Sequence, residues 1–310
     1  MGKEMHRQTN HQPNGTISMI KRIAAAVITT VFAVSCLSGC SASSLNQIVP
    51  SFTDTPFISD GLLSSGTSRN TATQPATPEE PGYEYTEWDP NIAPDFYRVD
   101  GEAIIAYDVA PGEYHFGDLD DLGRATASYA AITPRNYVDE KSQDREDFGS
   151  DADRISGWGH NAKIDVVCPD GSERNTWAFA RSHLIADSLG GVVDNGAIYN
   201  GESVATNLIT GTYAQNVGYD NEGGMAYAEE KAREWLETAG DNEYLYYAVT
   251  PVYEGDEPVA RSVFIDMASS DGEIDEHVEV YNVVGDISGR YTLDYATGWI
   301  IDTATDEVLK

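Results

Sequence analysis

The chain has 310 residues, of which 41% are apolar and 28 are glycine, enough for one well-packed core and an unstructured remainder. Its formal net charge of −32 creates a field that repels polyanions at long range, which excludes capture of an anionic partner by the overall charge. The charge is uneven, however. Arg124 to Arg181 carries eight basic side chains against ten acidic ones, so a moderately basic cleft on an acidic body is compatible with the composition.

Taken from the N-terminus, Lys21 and Arg22 precede an apolar run from Ile23 to Val34, and Leu37-Ser-Gly-Cys40 follows. The run is too short to span a bilayer comfortably and reads as a targeting segment. Its end resembles the lipobox of bacterial lipoproteins, which makes Cys40 the lipidation site and a membrane a partner. An ordinary secretory signal with an incidental cysteine is the other reading. The expected location is extracytoplasmic, lipid-anchored or secreted. Cleavage before Cys40 removes Cys36 and leaves Cys168 as the one free thiol, so no intramolecular disulfide is expected. The stretch after Ser41 is rich in Ser, Thr and Pro and lacks a hydrophobic period. The chain therefore divides into a signal peptide over 1–39, a disordered tether over 40–90 and a folded domain over 91–310.

In the domain, Ala103 to Tyr107 suits a strand, and Asp118 to Ile132 suits a helix with acidic residues near its start. Asp118, Asp120 and Asp121 lack the glycine and distal glutamate of a calcium loop, so helix capping is the better reading. Val-Val-Cys168-Pro-Asp-Gly reads as a strand running into a turn, which favours a buried thiol over a nucleophile. The clearest helix runs from Met225 to Thr238, with Gly240 as its C-terminal cap. Met225, Ala228, Ala232, Trp235 and Leu236 share one stripe of it, with Glu229 inside or beside the stripe and Glu230 pointing away. A carboxylate among apolar neighbours must be paired or liganded, and Arg233, four residues on, is the ordinary partner. Tyr244 to Tyr253, Arg261 to Met267 and His277 to Val284 are rich in β-branched and aromatic residues with turns between them. These features predict an α+β fold with a mostly antiparallel central sheet flanked by helices.

Four histidines follow the signal: His115, His160, His183 and His277. His183 stands out because Arg181 lies two residues before it in an extended segment, which puts both side chains on one face. A guanidinium beside the imidazole discourages protonation and keeps the ring able to act as a base.

Seven pieces occur in order over residues 100 to 300: Leu122-Gly-Arg-Ala125, Arg181-Ser-His-Leu-Ile-Ala186, Thr206-Asn-Leu-Ile-Thr-Gly-Thr212, Asn216, Gly224-Met225 with Glu229-Glu-Lys231, Val249-Thr-Pro-Val-Tyr-Glu-Gly-Asp256 and Leu293-Asp-Tyr-Ala-Thr-Gly298. Together they resemble the DNA/RNA non-specific endonucleases with the ββα-metal (His-Me finger) site, most of all the streptococcal and lactobacillal DNA-entry and secreted DNases. The resemblance implies that His183 is the general base, Asn216 the direct metal ligand, Asn207 a supporting residue and Glu229 the holder of water in the metal's shell. It implies that Arg181, with Arg124 and Arg135, contacts phosphate. Ala180 and Ser182 depart from the familiar Asp-Arg-Gly-His form, and the alanine removes a salt-bridge partner of Arg181. The insertion Tyr219 to Gly223 lies between Asn216 and the helix, and Asn207 is the fallback ligand.

The implied activity is sequence-non-specific hydrolysis of DNA phosphodiester bonds, extending to RNA, with one Mg²⁺ or another divalent ion such as Mn²⁺ and with nucleic acid as partner. No protein partner is evident. Reading backbone phosphate rather than bases accounts for low specificity. Two rivals are weighed against it. A catalytically inactive lipoprotein binding module on a nuclease-like fold would suit the tether and the negative charge. A hydrolase using Cys168 or a serine with His183 would need a nucleophile motif such as Gly-x-Ser-x-Gly, which is missing.

Overall fold

The computed structural model of the protein describes residues 81–141, 154–194 and 196–309. Cys40, the signal and the tether as far as residue 80 lie outside the described residues. Chain order is β1 (Tyr97–Val99), β2 (Tyr114–Phe116), β3 (Ser128–Ile132), α1 (Pro134–Lys141), β4 (Lys163–Val167), β5 (Glu173–Trp177), β6 (Phe179–His183), a 3-10 turn (Asp187–Leu189), β7 (Ala197–Tyr199), β8 (Glu202–Val204) and β9 (Leu208–Thr212). It continues with α2 (Tyr213–Val217), α3 (Met225–Thr238), β10 (Leu245–Val252), β11 (Ser262–Ser269), β12 (Asp275–Tyr281), β13 (Tyr291–Asp294), β14 (Trp299–Asp302) and β15 (Glu307–Val308).

The centre is a six-stranded antiparallel sheet in the order β1-β12-β11-β10-β3-β2, as an α+β fold requires. On one face Leu245, Tyr247 and Val249 of β10 and Val263, Ile265 and Met267 of β11 pack in the main core with Met225, Ala228, Ala232, Trp235 and Leu236. The helical stripe expected from the sequence is the buried face of α3. That helix ends one residue earlier than its glycine suggests: Ala239 is the cap, in an extended conformation.

The opposite sheet face is also covered, so β10 is buried along nearly its whole length instead of alternating. Tyr107, Ala127, Tyr246 and Ala248 form a small core there. Two buried carboxylates on this face are paired, as burial of charge demands. Tyr83 donates to Asp266 at 2.5 Å and His277 Nδ1 lies 2.7 Å from the same carboxylate. Thr86 donates to Glu279 through its amide and its hydroxyl, at 2.7 Å each. The folded body therefore begins no later than Tyr83, ahead of the boundary at 91 that composition suggests, because Tyr83 and Thr86 carry partners for groups that lie across the sheet.

Two expected elements are different in the structure. Residues 103–107 form no strand; the amides of Ala103 and Ile104 donate to the carboxylates of Asp275 and Asp266, at 2.8 Å each, instead of to a neighbouring strand. Residues 118–132 form a loop and then β3, not a helix. Asp120 accepts from the amides of Leu122 and Arg124, making a turn, and the small side chains of β3 fit between β10 and β2.

A second core joins the β4–β5 hairpin, Phe179, Val259, Val284 and the β13-β14-β15 sheet. Asp286 ties it together by accepting from the amides of Val167, Ser288, Arg290 and Tyr291. Burial pushes its pKa up, but these bonds outweigh burial and hold the carboxyl below its ordinary range. A depressed folded value contributes stability that is present above the unfolded value and lost as the pH falls through the folded one. Denaturant midpoints of the wild type should therefore drop below about pH 4, and Asp286→Asn should lower the plateau by about 1–3 kcal/mol while flattening that acid limb. An identical pH profile for the two proteins would contradict this assignment.

Candidate active site

The site is built on a β-β-α unit. β6 pairs antiparallel with β9, placing Arg181 opposite Thr210 and His183 opposite Leu208, and α2 starts immediately after β9. Thr212 caps α2 by accepting from the amide of Gln215 at 3.0 Å, and Ser182 donates to the fully buried Gln215 side chain at 2.7 Å. Gly211 is obligatory beneath this bond: a Cβ there would lie 2.1 Å from Ser182 Oγ and 2.2 Å from Gln215 Oε1. Ser182, found where the family's familiar motif has glycine, thus locks the helix to the strand. Asn282 fastens the unit to the central sheet: it accepts from the amide of Thr212 and donates to the carbonyls of Thr210 and Ala260.

Strand alternation turns Arg181 and His183 to one side, where they line a cavity of about 850 Å³. Asn216 of α2 and Glu229 of α3 line the same cavity. The insertion at 219–223 does not displace them. Tyr219 donates to the carbonyl of Val284, and the amide of Gly224 donates to Asp95 at 2.8 Å, which returns the chain to start α3 against α2. Gly224 has φ of 60°, and a Cβ on it would lie 2.2 Å from the carbonyl oxygen of Gln215, so only glycine permits this approach.

The charged lining is balanced: Arg181 and Arg233 against Asp187 and Glu229. The cleft is therefore electrically even, not basic as the local composition allowed. Arg233 Nη1 stands 3.7 Å from Glu229, and the same guanidinium bonds Glu230 and Ser188. Burial opposes its charge, but the bond to Glu230 and the two carboxylates more than compensate and raise its value above the ordinary one. Position 180 is alanine, and the Cζ of Arg181 stands over the Trp158 ring, 5.1 Å from its centroid.

The structure separates three expected site residues from the cavity. Asn207 is fully buried, and its amide accepts from Ile185 N and donates to the carbonyls of Ile185 and Val192. Its side-chain oxygen is committed to backbone, so Asn207 is a strut for the loop after His183 and not a fallback ligand. Arg124 bonds Asp120 and the carbonyls of Gly255 and Glu257 and stacks on Tyr253, so it pins two loops instead of meeting phosphate. Arg135 stands exposed on α1, beside Asp139 at 3.9 Å and outside the lining. Trp158, Trp177, Tyr213 and Asp187 also line the cavity, and no sequence motif marks them.

The other histidines lie elsewhere: His277 holds Asp266, His115 stacks on Tyr129 and His160 is exposed. Cys168 is buried in the second core, where desolvation pushes its thiol up, so it stays protonated and shielded at neutral pH. Alkylation of the native protein with iodoacetamide should leave its activity unchanged; thiol-dependent inactivation would return Cys168 to the site.

A profile of the DNA/RNA non-specific endonucleases matches residues 117–297, a span that contains β6, β9, α2, α3 and the whole cavity wall they form. The chain belongs to this family. A deoxyribonuclease of Streptococcus dysgalactiae subsp. equisimilis is 28% identical over 247 residues, covering 67% of this chain and 70% of that protein. The structure of the Sda1 nuclease with bound zinc ion is similar, with a TM-score of 0.57 at 28% identity, covering 68% of this chain and 98% of that one. NucA from Streptococcus agalactiae with magnesium ion bound gives a TM-score of 0.46 at 22% identity, over 65% of this chain and 84% of that one. The endonuclease is accordingly a hydrolase acting on nucleic acid, with the antiparallel α+β fold expected for it.

Proposed function

We propose that the protein is a metal-dependent, sequence-non-specific endonuclease that hydrolyses phosphodiester bonds of DNA, with RNA as a second substrate, using water activated by His183. One observation carries this reading: His183, Arg181, Asn216 and Glu229, drawn from three separate elements, face a single cavity. His183 takes the proton of the attacking water onto a ring nitrogen, a contribution of typically ~10² to ~10⁴ in rate. Arg181 steadies the phosphate oxygens, and Glu229 orients hydrating water across the cavity.

Among the described residues, no group of three or more His, Cys, Asp and Glu side chains could hold a metal ion. The donors in the lining include the amide oxygen of Asn216 and the Glu229 carboxylate, hard oxygens that suit an ion keeping most of its water, and not a structural zinc. Mg²⁺, or Mn²⁺ in its place, would be held by Asn216 and would supply charge neutralisation at the phosphoryl oxygens and the departing 3′ oxygen. The zinc-bound Sda1 structure supports a divalent site in this fold. The targeting segment ahead of Cys40 supports export with lipid attachment at Cys40, ahead of the catalytic domain.

Plasmid cleavage should vanish with chelator and return with Mg²⁺. Because the chain carries a formal net charge of −32, divalent ions should also act by screening, and the rate should keep rising after the site is filled. Activity that stays constant across a titration from chelator to excess metal would overturn the proposal.

A further inference from the structure

We propose that the cleft contains a base-stacking subsite, formed by Trp177 and Trp158, which takes an unpaired nucleobase and makes single-stranded nucleic acid the preferred substrate over duplex. The inference rests on the nuclease reading and adds a substrate class to it. It starts from the β4–β5 hairpin. Register places Lys163 opposite Trp177 and Asp165 opposite Asn175 on the outward face, while Ile164 and Val166 point into the second core. The hairpin is therefore fastened by its other face, and Trp177 contributes little to holding it.

Trp177 nevertheless stands 49% exposed, the only aromatic among the large apolar side chains exposed in the described residues, and it lines the cavity that holds His183. Lys163 Nζ stands over its ring, 5.5 Å from the centroid, so one face of the indole carries a cation within reach of an adjoining phosphate and a base would stack from the other side. Trp158, half-buried, lines the same cavity, with its ring 6.2 Å from that of Phe179 and with Arg181 on it.

Electrostatics alone leaves little to hold a polyanion here. The lining has two arginines against two carboxylates, Arg233 is engaged by Glu229 and Glu230, and the molecule as a whole is repulsive. Stacking on an aromatic ring is insensitive to that field and is worth roughly 5- to 150-fold in affinity per base. A duplex offers only phosphate to the cleft because its bases are stacked on one another. An unpaired strand can turn a base onto an indole while its phosphate lies beside His183.

The test uses the full chain carrying His183→Ala, in Mg²⁺, with a labelled oligothymidine, an abasic strand of equal length and a duplex as probes. Oligothymidine should bind about tenfold or more tighter than the abasic strand. Adding Trp177→Ala should erase that difference, Trp177→Phe should retain most of it, and thermal melting should be unchanged for both. With His183 intact, single strands should be cut faster than duplex, and Trp177→Ala should bring the two rates together. Equal binding of oligothymidine and abasic strand, or a preference untouched by Trp177→Ala, overturns the subsite while leaving the nuclease reading in place. A Trp177→Ala that alters only the oligomeric state shows a self-association surface and overturns it too. Failure of the wild type to cut any strand would count against the nuclease reading, and the binding comparison would still decide the subsite.

Discussion

His183→Ala should abolish Mg²⁺-dependent cleavage of plasmid DNA while leaving the protein folded. The loss expected for a general base is ~10² to ~10⁴ in rate, and no other histidine lines the cavity to replace it. Stability should be nearly unchanged for a structural reason. The β6–β9 register is held through backbone pairing, the following loop is held by Asn207, and the half-buried ring at the end of β6 is needed for neither. Initial rates of nicking, read beside a thermal melt, separate the two effects. A variant with wild-type melting and a rate within tenfold of wild type would remove His183 from the chemistry.

The second large effect is a contrast between two asparagines, Asn216 read from the sequence as the metal ligand and Asn207 as its support and fallback. Asn216→Ala should retain the fold and lose on the order of 10²-fold or more in rate at fixed Mg²⁺, because it removes the proposed metal ligand. More metal should restore part of the activity. Asn207→Ala should do the reverse. It strands Ile185 N and Ile185 O in the interior and frees the part-buried Val192 O, and at ~1–3 kcal/mol for each buried unsatisfied group the protein should lose roughly 2 kcal/mol or more. Denaturant melts and metal titrations on both variants give the answer. Native stability in Asn207→Ala combined with a raised metal requirement would reassign the ligand.

These two variants bear directly on what can be read from a sequence. α3 was legible because a helix repeats its buried face at a local period, and the stripe from Met225 to Leu236 needs no knowledge of what it packs against. Strands β10, β11 and β12 were legible to within a few residues through their β-branched and aromatic content. The stretch 118–132 was not. Its alanines favour helix in isolation, but their small volume is what lets β3 lie between two neighbours, and tertiary packing decides such cases. The two-residue spacing of Arg181 and His183 was enough to put them on one face, and the structure keeps them there.

What the sequence by itself determined was local and ordered: the succession of motif residues, the faces they share and the helix that carries Glu229. Tertiary structure alone decided which polar groups remain available for chemistry, because a side chain's partner is often chosen far along the chain. Arg124 looks like a phosphate contact until the carbonyls of Gly255 and Glu257, 131 and 133 residues away, take its guanidinium. Trp177 looks like any hairpin residue until the β4–β5 pairing turns it outward at the edge of the cavity. Pairing and burial depend on three-dimensional proximity, which neither spacing nor composition encodes.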